Sequence, residues 1–297
     1  MSALDLTAAQ AAARAHVVEV VTRSGSSFSL GMKILPAERR MAQFAVYAFC
    51  REVDDVADDE GATPEQRLVE LERWREEVHR LYDGNPTRPT TVALLEPVRR
   101  FRLPREEFLA LIDGMEMDAR DTLHAPDMAT LMVYCRRVAG TAGLLSLPVF
   151  GADEPEAQVF ALALADALQL TNILRDTAED AERGRLYLPR ELLEKHGIDP
   201  ARPVTEILRA PALIGVLEEL AALAHRRYGE ADAALTHCNR WRLRPALLMM
   251  GIYEAILVSL ERRGWRPCSP PPRLSKGAKL WAALTRGLLR PKWQPST

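Results

Sequence analysis

The chain is 297 residues long, 47% hydrophobic and 27% charged, with 39 Lys plus Arg against 41 Asp plus Glu and a net charge near −2. That is enough for one large domain or two small ones, too apolar for disorder, and without the positive excess that nucleic-acid binding needs. Cys50, Cys135, Cys238 and Cys268 stand far apart with no CxxC pair, which sets aside a disulfide scaffold, a zinc ribbon and a thioredoxin-type motif and suits a reduced, cytoplasmic chain.

Ala, Leu, Arg and Glu fill long stretches and β-branched alternation is scarce, so the expected class is all-α. Met1–Arg14 has neither a basic start nor a long apolar run and is not read as a signal peptide. His16–Val21 continues that Ala-rich run and is read as helix. The first acidic stretch is Phe44–Glu60. Residues three and four apart share a helix face. Phe44, Tyr47, Arg51, Asp54 and Asp58 obey that spacing, so one face carries aromatics, a cation and two carboxylates one turn apart.

Thr63-Pro64-Glu65-Gln66 combines an N-cap, a proline at the first helical position and a capping box, which predicts a helix start. Asp83-Gly84-Asn85-Pro86 predicts its end. Inside it, Glu76-Glu77-Val78-His79 supplies one Glu-x-x-His. A di-iron bundle needs two such motifs, and no second occurs, so His79 is read as a surface residue. Pro104, Asp127 and Pro155 mark later starts, Gly151 and Gly197 later stops.

The greasiest stretches are Ala157–Leu174, interrupted by Asp166, Gln169 and Asn172, and Pro245–Leu260, interrupted by Glu254. Both read as core helices rather than membrane spans. The first runs into the second acidic stretch, where Asn172, Asp176 and Asp180 are successive i, i+4 positions with Gln169 one turn earlier. Arg183-Gly184-Arg185-Leu186-Tyr187-Leu188-Pro189 follows as a loop able to close over that stripe.

With no repeat and no mid-chain linker, residues 1–263 are expected to form one all-α domain. Residues 264–297 form a Pro-rich linker and a basic tail: after Glu261 no acid occurs, and nine basic residues give +9 against −11 for the rest. Lys276, Lys279, Arg286 and Arg290 share one helical face, Trp281, Leu284 and Leu288 another. Such a helix either lies on an anionic membrane surface or docks on the acidic body of the protein.

Two carboxylates about 6 Å apart at an effective dielectric near 20 repel by roughly 3 kcal/mol. On a solvated face that cost is small. Here both stripes are flanked by apolar residues that must be buried, so the carboxylates need cations. Oxygen ligands without a nearby His or Cys suit Mg²⁺, which keeps open positions for phosphate oxygens. Arg51, Arg175, Arg183 and Arg185 are placed either to take phosphate oxygens bidentately or to pair with neighbouring acids. G-x-S-x-G, Walker and G-x-G-x-x-G motifs are absent, which removes common hydrolase, NTPase and dinucleotide-binding readings.

Asp54-x-x-x-Asp58 and Asp176-x-x-x-Asp180, with Tyr47-Ala48-Phe49-Cys50-Arg51, Tyr134-Cys135-Arg136-Arg137-Val138-Ala139-Gly140 and the Arg183–Pro189 block, resemble the squalene/phytoene synthase family over about residues 20–265. Within it, Phe49–Asp55 is most similar to the bacterial branch that serves hopanoid biosynthesis. One departure is Ser29-Leu30-Gly31, where relatives often carry an aromatic just after the Ser-Phe pair.

The resemblance implies an all-α isoprenoid-synthase bundle around a central cavity and a prenyltransferase that joins two farnesyl diphosphates head to head into presqualene diphosphate. It implies Mg²⁺ held by Asp54, Asp58, Asn172, Asp176 and Asp180, and diphosphate or substrate contacts from Ser27, Arg51, Gln169, Arg175 and Tyr187. Tyr47 and Tyr134 would line the reacting centre. NADPH is not expected. Gly140 and Gly143, with Ala139 and Ala142, leave room for an isoprenoid tail or serve close helix packing. The sibling activities are NADPH-dependent squalene synthesis, phytoene synthesis and hydroxysqualene synthesis. A non-catalytic assembly factor is the reading from another class; intact carboxylates in both motifs argue against it.

Overall fold

The computed structural model describes residues 3–26, 28–120, 123–267, 270–271 and 274–285. Among them every regular element is helical, as the composition predicts. The first half runs α1 (Ala3–Arg23), α2 (Phe28–Lys33), α3 (Ala37–Ala57), α4 (Pro64–Tyr82), α5 (Pro89–Phe101), α6 (Arg105–Ala119) and α7 (Met128–Cys135). A single π turn, Arg136–Gly140, leads into α8 (Thr141–Phe150). There follow α9 (Pro155–Glu182), α10 (Arg190–Lys195), α11 (Val204–Ile207), α12 (Leu213–Leu235), α13 (Arg244–Arg262) and α14 (Lys276–Leu284).

Local chemistry sets these boundaries. Thr63 accepts from the Gln66 backbone N–H while the Gln66 side chain accepts from that of Thr63, closing the capping box ahead of Pro64. Asp127 caps α7 by accepting from Thr130 N at 2.7 Å. Gly84, Gly151 and Gly197 turn the chain with φ of 85°, 78° and 71°, a region glycine enters without steric cost.

The chain divides into two compact units that interleave along the sequence. The first comprises residues 1–120, 141–154 and 239–245. In it α3 packs on α1, α5, α6 and α8. Phe49 of α3 meets Trp74 and Phe108 edge-on, with ring centroids 5.4 and 4.9 Å away. His16 of α1 ties to Glu52 of α3 at 2.6 Å. Arg75 of α4 grips Asp113 and Glu116 of α6 at 2.9 and 2.6 Å.

The second unit comprises residues 121–140, 155–238 and 246–297. Its spine is the α9–α12 pair, where buried Tyr228 meets the Thr171 hydroxyl at 3.2 Å. By length and composition alone α9 suffices to cross a membrane, yet most of its apolar stretch is buried inside the protein. His16–Val21 lies within α1, and Pro245–Leu260 within α13.

Candidate functional site

Each acidic stripe falls at the C-terminal end of a long helix. Helix C-termini carry a partial negative charge, so carboxylates collected there raise the demand for a cation. In the first unit Asp54 lies in the last turn of α3, and Asp58 is its C-cap, its N–H bonded to the Asp54 carbonyl at 3.1 Å. Arg51 reaches Asp54 at 3.3 Å and Asp55 at 2.5 Å.

Arg51 does not by itself lower the Asp54 carboxyl. Burial, Asp58, and more weakly Asp118 and Asp55, push the Asp54 carboxyl up to about 7, with Arg51 opposing. Asp118 is a buried acid of α6 that the motif reading missed. Its signal was an acid at a core position: Leu111, Met115 and Asp118 share one helical face, and all three are buried. Tyr47, two turns before Asp54, is half-buried and leans on Phe28, with ring centroids 6.2 Å apart. Ser27 lies outside the described residues.

Within the Ser29-Leu30-Gly31 departure, the structure accounts for Gly31. A Cβ at Gly31 would stand 2.6 Å from the Pro245 carbonyl oxygen, closer than any side chain can be placed.

In the second unit Arg175 forms a two-pronged bond to Asp176, Nε to Oδ1 at 2.7 Å and Nη2 to Oδ2 at 2.5 Å. Behind it stands Tyr253 of α13, a second residue the motif reading missed. Its hydroxyl interacts with both Arg175 and Asn172, and burial raises its pKa. Its signal was a lone phenol beside Glu254 in a mostly apolar stretch. Asn172 Nδ2 donates to Gln169 Oε1 at 3.5 Å, while Asn172 Oδ1 is buried with no hydrogen-bond partner.

Such an orphaned acceptor next to Asp176, on a stripe of oxygen donors, fits a hard cation. Among the described residues no three His, Cys, Asp or Glu side chains gather tightly enough to hold a metal by themselves. Carboxylate pairs with spare positions for phosphate oxygens are the arrangement Mg²⁺ accepts.

Tyr134 and Tyr187 stack with centroids 5.4 Å apart and planes 14° from parallel. Tyr134 lies in the last turn of α7, two residues before the π turn, and single π turns often mark functional sites. The Arg183–Pro189 block is anchored rather than free. Leu186 O accepts from Ala125 N at 2.8 Å, and Pro126 O from Arg190 N at 2.9 Å. Leu186, Tyr187, Leu188 and Pro189 are buried, and the Arg183, Gly184 and Arg185 N–H groups donate to the carbonyls of Asp180, Ala181 and Asp180 at 3.1, 3.0 and 2.9 Å. Arg183 reaches Glu179 at 3.7 Å. A Cβ at Gly140 would meet the Arg136 side chain at 3.0 Å and Leu162 at 3.3 Å. This position therefore serves close packing of the π turn on α9.

In α14 the Ser275 side chain caps Ala278 N–H at 3.1 Å and Ala283 is buried. Leu280, Trp281 and Leu284 are exposed, Trp281 by 70%. Arg286, Leu288 and Arg290 lie outside the described residues.

The comparisons with known proteins agree with this chemistry. A family model described as squalene/phytoene synthase matches residues 21–279. The chain is 43% identical over 259 residues to the presqualene diphosphate synthase of Zymomonas mobilis, covering 87% of this chain and 88% of that one. It is 39% identical over 249 residues to the phytoene synthase of Mycobacterium tuberculosis, covering 83% and 81%. A crystal structure of a dehydrosqualene synthase in complex with ligand superposes with a TM-score of 0.80 at 27% identity, covering 92% of this chain and 95% of that one.

Proposed function

This chain belongs to the squalene/phytoene synthase family, and from that premise we propose that it joins two farnesyl diphosphates head to head into presqualene diphosphate. It is a prenyltransferase by family. The observation that carries the site assignment is the buried, unpartnered Asn172 Oδ1 beside an Arg-clamped Asp176 on an all-oxygen stripe. We assign Mg²⁺ to Asp54 and Asp58 and to Asn172, Asp176 and Asp180. When bound, it neutralises charge developing on the departing diphosphate.

The chain's own residues do the rest. Arg51 and Arg175 present forked guanidinium groups that match diphosphate oxygens, with Gln169 beside them as a donor. Arg175 is held ready by Tyr253. Tyr47 with Phe28, and Tyr134 with Tyr187, offer aromatic faces that stabilise an allylic cation and keep water from it. The second farnesyl double bond attacks that cation, and proton loss closes a cyclopropane. Neither motif holds a histidine, so the departing diphosphate serves as base. Residues 1–263 carry this chemistry. The basic tail brings a cytoplasmic enzyme to the membrane where prenyl chains partition, a reading supported by the exposed Trp281 and Leu284 face.

Incubation with farnesyl diphosphate and Mg²⁺, with and without NADPH, followed by product identification, tests the assignment. Presqualene diphosphate in both arms is expected. Squalene appearing only with NADPH, hydroxysqualene, or turnover restricted to longer diphosphates would replace it with a sibling activity.

A further inference from the structure

The segment 239–245 belongs to the first unit and is absent from every motif described above. It reads Asn239-Arg240-Trp241-Arg242-Leu243-Arg244-Pro245, three arginines around one indole with no acid among them. The indole of Trp241 is 69% exposed. Large apolar side chains are normally spread singly over a surface; this one differs in being held out by a braced loop.

Asn239 accepts from the N–H groups of Trp241 and Arg242 at 3.1 and 3.4 Å, folding the turn. Its own N–H is fixed to Glu154 Oε1 at 3.1 Å. Arg242 straps the other side, donating to the Gly151 carbonyl at 2.6 Å and to Asp153 at 2.7 Å. Leu243 is fully buried as an anchor. Arg244 places its guanidinium 3.2 Å from the indole centroid and donates to the Trp241 carbonyl at 3.2 Å. Next to Pro245, through the close approach at Gly31, α2 ends in exposed Lys33 and Ile34, the latter 41% exposed.

We propose that this braced Trp241–Arg244 loop is an interfacial anchor that seats the chain on an anionic lipid bilayer. An indole prefers the headgroup level of a bilayer, and an arginine stacked on it can meet lipid phosphate while the ring is inserted. Arg240, Arg242, Arg244 and Lys33 outnumber the acids of the neighbouring turn, Asp153 and Glu154, so the loop keeps a positive balance, complementary to acidic lipid. One indole and one isoleucine are too little for a stable protein interface, which buries about 800 Å² per partner. They suffice for a shallow, reversible contact reinforced by charge. The anchor is independent of the reaction assigned above and is additional to the tail.

The test uses the full chain and vesicles of phosphatidylglycerol with phosphatidylcholine, compared with phosphatidylcholine alone. Trp241→Ala is expected to lower sedimentation with the acidic vesicles about tenfold and to leave turnover of detergent-dispersed farnesyl diphosphate unchanged. With brominated lipid, part of the wild-type tryptophan emission should be quenched, and Trp241→Phe should lower that quenching, the remainder coming from Trp281 of the tail. Equal sedimentation of wild type and Trp241→Ala, or equal quenching in wild type and Trp241→Phe, would overturn the proposal. So would a Trp241→Ala chain that loses self-association in gel filtration while keeping its vesicle binding, which would make the face a contact between copies.

Discussion

The acidic ends of α3 and α9 carry the same chemistry but meet its cost differently. At α3 the Arg51 guanidinium is divided between Asp54 and Asp55, and burial first, then Asp58, raise the Asp54 pKa against it. At α9 the Arg175 fork is engaged with Asp176 and is braced from behind by Tyr253. The first end is frustrated until a cation arrives. The second is neutralised in advance and keeps one unsatisfied oxygen, Asn172 Oδ1. One helix end therefore keeps a carboxyl raised by burial and like charge, and the other holds an arginine already paired with its own acid.

Activity gives the largest effect. Asp54→Asn and Asp176→Asn should each lower turnover of farnesyl diphosphate by about 10³-fold, since each removes a charge needed by the leaving group. Far-ultraviolet circular dichroism should stay helical. Full turnover in either purified variant contradicts the assignment. Stability without metal should split the pair by sign. Asp54→Asn relieves repulsion and should gain roughly 1 kcal/mol, discounted because the side chain is 40% exposed. Asp176→Asn strands a partly buried guanidinium and should lose about 2 kcal/mol. Urea titration in a chelator reads both, and shifts of the same sign would erase the contrast drawn here.

A third carboxylate shows what the protein does when it means to satisfy an acid by itself. Glu77 of α4 is buried and accepts from the Thr87 N–H and hydroxyl, the Arg88 N–H and the Thr91 hydroxyl, with Arg80 at 3.3 Å. Those donors outweigh burial and hold its pKa down to about 2. A carboxyl depressed in the folded state stabilises in full above its ordinary value of 4.5, and the gain is lost as pH falls toward 2. The gap is worth about 3 kcal/mol. Glu77→Gln should therefore be less stable than wild type near neutrality, with the two converging as pH falls from 4.5 toward 2. A constant difference across that range would show that the hydrogen bonds do not depend on its charge.

Much of this was legible before any coordinates. The 63–83 helix, the start at Asp127 and the stops at Gly84, Gly151 and Gly197 follow from capping and glycine chemistry, which act within a few residues. The stripes were legible because helical periodicity stacks Asp54 on Asp58 and Asn172 on Asp176. Residues supplied by distant chain segments were not. Asp118 joins Asp54 across α6, and Tyr253 reaches Arg175 from α13, pairings fixed by packing rather than by spacing. The Arg183–Pro189 block reads from the sequence as a loop able to close over the second stripe. The backbone bonds at Leu186 and Arg190 hold half of it down.

Tyr253 sharpens the contrast further, because it belongs to the α9 end alone. Tyr253→Phe keeps the ring and deletes the hydroxyl that steadies Arg175 and Asn172. A lost hydrogen bond to a charged group costs about 1.5 kcal/mol, roughly tenfold in rate. The loss should fall mainly on KM for farnesyl diphosphate if Arg175 grips the diphosphate before it leaves, and on kcat if the grip tightens as charge develops. An unchanged variant would mean that Arg175 is held by Asp176 without help.

Deleting residues 270–297 removes none of the residues assigned to either acidic end and should have the smallest effect on the reaction itself. The exposed Leu280, Trp281 and Leu284 are removed along with six basic residues. Binding to acidic vesicles should fall at least tenfold, since each juxtamembrane Lys or Arg contributes about 1 kcal/mol at such a surface. Turnover on detergent-dispersed substrate should change less than twofold. Retained vesicle binding would return the tail to the alternative of a helix docked on the acidic body. A large loss of turnover in detergent would mean that the tail closes over one of the two acidic ends, and their different neutralisation would then have to be reassessed with the tail's arginines and lysines included.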